Sequence, residues 1–237
     1  MKKSPYIQFG IADYSPLDSE FKTLFNSVAN IVAQMYSSFL KEVDIPKCQK
    51  IDITVSNYSN ETNYVSKNNF PGGVIQIRKI FNDFAKFETF SFYQKKVETL
   101  ELMHRFLIEL CDQNGYNTKP FVSAYNKIKE NDYRSVFILK GKKFTNRKTK
   151  KSVVVKVEQK ETGALIIFDF YDSNSQQLKS VDTIEIPNSP IFLNSYMSSG
   201  GKWLDDNCFV LLDRDKMHTL KVFLSGKFEN IKFKMFN

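Results

Sequence analysis

The period of the hydrophobic pattern changes near residue 132, and this constrains the fold more than any other feature of the chain. Before that point apolar residues recur at steps of three and four, as on one face of a helix. After it they alternate, as on one face of a strand. At 237 residues the chain is long enough to bury a proper core without disulfides or metals. Helical segments followed by a run of strands predict an α+β fold. The expected N-terminal half, residues 1–132, packs three helices on a small sheet. The expected C-terminal half, residues 133–237, is mostly antiparallel β, either a sandwich or a strongly curved sheet. No internal repeat or low-complexity linker separates them, so the two halves are expected to pack as one unit.

The first helix has the clearest pattern. Ser15 offers an N-cap, Pro16 suits the first helical position, and Asp18 suits the first turn. From Leu17 through Phe21, Phe25, Val28, Val32, Met35, Tyr36 and Phe39 to Val43, the apolar stripe keeps helical spacing, with Pro46 as its stop. Ile51, Ile53 and Val55 predict a strand, as does the segment 74–80, with a polar loop between them. The run Phe81, Phe84, Phe87, Phe90 and Phe92 fits strand, turn or helix start. A second helix is expected over Thr89 to Asp112, stopped by Gly115. A third is expected over Lys119 to Glu130.

Beyond residue 132, strands are expected over 133–139, 152–158, 165–171, 181–186, 191–193, 208–212, 219–224 and 230–236. Turn-forming residues separate them. The segment Ser199-Gly200-Gly201-Lys202-Trp203 reads as a flexible loop, with Trp203 as an anchor of a core or an interface.

Charge is distributed unevenly. The net charge of +8 equals the charge of one segment, Lys140 to Lys156, which holds eight Lys or Arg and no acid. The flanking stretches cancel, so a nearly neutral protein carries one basic segment. This is expected to form the tip and one arm of a hairpin between Leu139 and Val153, with bends at Gly141 and at Thr145-Asn146. Such a segment repels itself unless solvent, ions or a partner of opposite sign offset it, and so it points to an anionic partner without naming one. Lysines on an exposed edge strand also guard against sheet-to-sheet aggregation, which is the alternative reason for their presence.

Motifs for catalysis and metal binding are sparse. Glu101-x-x-His104, with Glu98 one turn earlier, is half of a carboxylate-bridged di-metal motif. The second Glu-x-x-His that such a site requires is absent from the sequence. Ser199 to Trp203 lacks the spacing of a phosphate loop and has Trp where Ser or Thr is needed. Asp213-Arg214-Asp215 and Asp205-Asp206-Asn207 read as turns. Cys48, Cys111 and Cys208 have neither metal-ligand nor redox spacing and are expected to be idle thiols in a reducing compartment. No cofactor and no metal are expected. The first residues lack the uninterrupted apolar core of a signal peptide, and no apolar run approaches the roughly 20 residues that span a bilayer. A cytoplasmic protein with no membrane partner is expected.

These observations predict a non-enzymatic protein that binds another protein with an acidic surface. Its most concrete form is an immunity or antitoxin-type inhibitor that occludes a toxin. The expected contacts are Lys142, Lys143, Phe144, Arg147, Lys148, Lys150 and Lys151, with Trp203 as an anchor. The alternative is a nucleic-acid-binding protein using the same segment, 140–156. Single-strand binders interleave aromatics with cations, and Phe144 is the only aromatic within the run.

Overall fold

The computed structural model describes residues 4–12, 15, 17–57, 64–65, 72–187, 200–212 and 218–232. The fold is α+β, with helices on a small, largely parallel sheet in the N-terminal part and antiparallel sheets in the C-terminal part. The chain divides into two compact units, Met1–Arg134 and Ser135–Asn237. Among the described residues there are four helices, one more than the periodicity predicts.

In the first unit, β1 (Tyr6–Ile11), β2 (Lys50–Ser56) and β4 (Val74–Ile80) run parallel, and β3 (Tyr64–Val65) adds to β4 in the antiparallel sense. Alternation places Ile7, Phe9, Ile11, Ile51, Ile53, Val55, Ile75 and Ile77 on one buried face. The helix α1 (Ser19–Phe39) links β1 to β2 and packs on β1. It starts later than Ser15 and Pro16 suggest. Asp18 is its N-cap, accepting from the Phe21 N–H at 2.7 Å, while buried Ser15 donates its hydroxyl to Asn57 at 3.0 Å. It also ends well before Pro46, at Leu40. β1 lies at the sheet edge and was not foreseen. Its outward N–H groups are covered by α1: Ile7 donates to the Ser37 hydroxyl at 3.2 Å and Ile11 to the Asn26 side-chain oxygen at 2.8 Å. This closes an edge that would otherwise template pairing with another strand.

The ambiguous phenylalanine run resolves into a short helix, α2 (Phe84–Thr89), whose Phe84 and Phe87 meet Phe21 and Phe25 edge-on or tilted. The helix α3 (Phe92–Asn114) then starts at a capping box. Ser91 and Gln94 satisfy each other's backbone N–H groups, which is why the helix begins here and not at Thr89. Gly115, in the left-handed conformation, ends it. The helix α4 (Lys119–Glu130) has the expected bounds.

The second unit is a β-sandwich of two four-stranded antiparallel sheets. One has the order β5 (Val136–Thr145), β6 (Ser152–Gln159), β7 (Gly163–Tyr171), β8 (Gln177–Pro187). The other has the order β12 (Phe228–Lys232), β11 (His218–Phe223), β10 (Cys208–Leu212), β9 (Gly200–Trp203). Val153, Val155 and Val157 from β6 and Ile166, Phe168 and Phe170 from β7 meet Phe209, Leu211, Leu220 and Val222 in one dry core. Two expectations change here. The bend of the basic hairpin is not at Gly141: β5 continues to Thr145 through an irregularity between Ile138 and Lys143, and the turn spans 146–151. Gly200 to Trp203 is an edge strand paired with β10, not a flexible loop. The expected strand 191–193 and the Asp213-Arg214-Asp215 turn lie outside the described residues, as do positions 233–236 of the last strand.

Candidate functional site

Four hairpin connections of the sandwich, 146–151, 172–176, 204–207 and 224–227, lie at one end. Within each sheet the strand register brings them together, with Ser152 opposite Tyr171 in one sheet and Cys208 opposite Phe223 in the other. Side chains then tie the sheets together at that end. Trp203 donates its indole N–H to the Phe144 carbonyl at 2.9 Å, Asn146 donates to the Asp205 carbonyl at 3.2 Å, and Lys151 donates to the Asp206 carbonyl at 3.3 Å. Loops clustered at one end of a rigid sandwich are a common location for binding residues.

The β5–β6 turn is built around Asn146. Its side-chain oxygen accepts from the Lys148 and Thr149 N–H groups at 2.9 and 3.2 Å, and its backbone pairs with Lys150 and Lys151. Lys150 takes a left-handed conformation with φ 59°. On the facing connection, one Asp205 carboxylate oxygen accepts from the Asn207 and Cys208 N–H groups at 2.7 and 2.8 Å. Asp205-Asp206-Asn207 is therefore a side-chain-stabilised turn, as its composition suggests.

Between these two turns lies a cavity of about 940 Å³, lined by Phe144, Arg147, Lys148, Lys202, Trp203 and Asp206 among others. Half-buried Trp203 forms its apolar wall, edge-on to Phe170 and Phe209 at 5.8 Å each. Gly201 allows that wall to form. A Cβ there would lie 2.3 Å from Cζ of buried Phe209, so no other residue fits without displacing the core ring.

The structure brings Phe144, Arg147, Lys148 and Trp203 together and spreads the other expected contacts. Lys151 reaches the rim through Asp206. Lys150 is exposed on the turn. Lys143 projects away from the cavity, its ammonium 4.7 Å from the Tyr171 ring centre, because it alternates with Phe144 along β5. The side chains of Lys140 and Lys142 lie outside the described residues.

The basic segment is also less free than its composition implies. Lys148 pairs with Asp206 at 3.3 Å, although its side chain is 83% exposed and such a pair contributes little. Lys156 pairs with buried Asp169 at 2.5 Å, and Ser180 donates to the same carboxylate at 2.7 Å. Among the described residues, Arg147, Lys150 and Lys202 have no carboxylate partner. Lys202 was missed in the sequence because it lies about 50 residues beyond the basic run and becomes its neighbour only through β9.

Glu101 and His104 belong to a hydrogen-bonded cluster in the first unit. The Tyr36 hydroxyl donates to the Phe121 carbonyl at 2.8 Å and lies 2.8 Å from His104 Nδ1. His104 stacks on Tyr125 at 4.1 Å, and Tyr125 donates to Glu101 at 2.6 Å while accepting from Lys129 at 3.1 Å. Burial holds the His104 pKa below its ordinary value, opposed by Glu101 and assisted by Lys129. This arrangement pins α1, α3 and α4 together. Among the described residues no group of three His, Cys, Asp or Glu could hold a metal ion. No described helix is long and apolar enough to cross a membrane. No known protein family, curated protein or solved structure matches the chain.

Proposed function

We propose that this protein binds another protein, taking an acidic part of that partner into the cavity at the turn end of its β-sandwich. One observation carries the reading. Two aromatic side chains, Phe144 and Trp203, converge with Arg147 and Lys202, which have no carboxylate partner among the described residues, around one concavity. Aromatic anchors beside unneutralised cations supply the two things a docking site needs: apolar contact area and steering of an oppositely charged surface. In its most concrete form the protein is an inhibitor of the immunity or antitoxin type, acting by occlusion.

A second reading, single-stranded nucleic acid, gains from the same convergence. Folding adds Trp203 to the single aromatic of the basic run, and base stacking next to cations is how such strands are held. Against it, the indole N–H of Trp203, which could donate to a base, is already bound to Phe144.

Trp203 is the only tryptophan, so its fluorescence reports on this cavity alone. Titrating the full chain with a deca-glutamate peptide and with a twenty-residue oligothymidylate separates the readings. Saturable change with the peptide at equal or lower concentration is expected. Oligothymidylate binding more than tenfold tighter would replace the first reading with the second. Silence toward both would remove the cavity as an anion site.

A further inference from the structure

The turn end carries a second concavity, of about 460 Å³, walled by Phe223, Ser225, Phe228 and Glu229 among others. Phe223 also lines the first cavity, so the two adjoin at that residue. Their chemistry differs. The first contains Arg147, Lys202 and the Lys148–Asp206 pair. The second presents half-buried Phe223 and exposed Phe228. Its acid, Glu229, is held by Lys221 at 3.6 Å. Its cation, Lys227, has no carboxylate partner among the described residues.

The floor of this second concavity is fixed. Phe223 N–H donates to the Lys227 carbonyl at 2.9 Å, Gly226 N–H donates to the Phe223 carbonyl at 2.8 Å, and Lys179 from β8 donates to the Ser225 carbonyl at 2.6 Å. A groove that is already shaped loses little conformational entropy on binding. Arg147 and Lys202 line the first concavity, and Phe223 and Phe228 line the second.

We infer that the groove recognises an extended acidic segment of a partner protein that also carries one apolar side chain. Its carboxylates lie at Arg147 and Lys202, and the apolar side chain lies over Phe223 and Phe228. This rests on the docking role proposed above and adds the ligand's pattern. Charge alone would accelerate encounter with any acidic surface. The apolar contact is what would hold the right one and slow its release.

Panning a random dodecapeptide display library against the full chain tests the inference without knowledge of the natural partner. The expected winners carry two or more acids and an aliphatic or aromatic residue at a fixed offset from them. Phe228→Ser should bind the selected peptide at least tenfold more weakly, and Phe228→Leu should restore binding. Winners that are acidic with no apolar position, or equal binding by Phe228→Ser, would overturn the inference while leaving the docking role in place. Selection of the same peptides by a chain carrying Arg147→Glu and Lys202→Glu, or no enrichment at all, would overturn both.

Discussion

His104 shows how a single side chain ties stability to pH. It lies between Tyr36 of α1 and Tyr125 of α4, with Glu101 and Lys129 nearby, and burial keeps it neutral below its ordinary pKa. The unfolded chain therefore binds a proton, near the usual histidine value of about 6.5, that the folded chain refuses. This contribution to stability is complete above that pH and is lost as the pH falls through it. Urea unfolding at pH 7 and at pH 5 should show a larger loss of midpoint in the natural chain than in His104→Gln. Equal losses would assign the pH dependence to other groups. At Cys111 burial has a similar effect in the other direction, pushing the thiol up to about 11. Cys208 is raised as well and is buried in β10. Both thiols should resist a disulfide reagent at pH 7.5 until the chain is unfolded; rapid labelling of either in the native protein would contradict their placement.

At the scale of elements, the site depends on β9, a strand of four residues, two of them glycine. Gly201→Ala would press a methyl group into the Phe209 ring. Overpacking of this kind costs about 1–3 kcal/mol. A fall of that size in urea stability, followed by Trp203 fluorescence, is expected; an unchanged midpoint would show that the Phe209 ring yields freely.

The same strand shows which elements the sequence revealed. α4 was legible because Phe121, Val122, Tyr125 and Ile128 keep helical spacing, and the structure buries Phe121 and Ile128. β6, β7 and β10 were legible as β-rich apolar segments. β9 was not, since two glycines carry no side-chain pattern and its place in a sheet comes from pairing with Phe209 and Val210. The start of α1 was misplaced because three residues within four positions, Ser15, Pro16 and Asp18, each carry an N-terminal signal, and only the hydrogen bond from Phe21 selects among them.

For the whole molecule, the question is how a net charge of +8 is deployed. The linear cluster at 140–156 was visible in the sequence, and half of the candidate site with it. The structure then divides that cluster. Lys156 and Lys148 turn toward the protein's own acids, Lys143 leaves by alternation, and Arg147 stays at the cavity, where Lys202 and Trp203 join it from another strand. Contiguity in sequence points to a cationic candidate site but not to its members, because those from β9 arrive only when the two sheets close.

The direct test compares two charge reversals of equal size. One chain carries Arg147→Glu and Lys202→Glu at the cavity. The other carries Lys119→Glu and Lys127→Glu on α4, so both lose the same net charge. Affinity for the acidic peptide selected on the natural chain is read from Trp203 fluorescence at about 0.15 M salt. A loss of at least tenfold in the first chain and less than twofold in the second is predicted. Equal losses, or none in either, would contradict a binding site at the turn end of the sandwich.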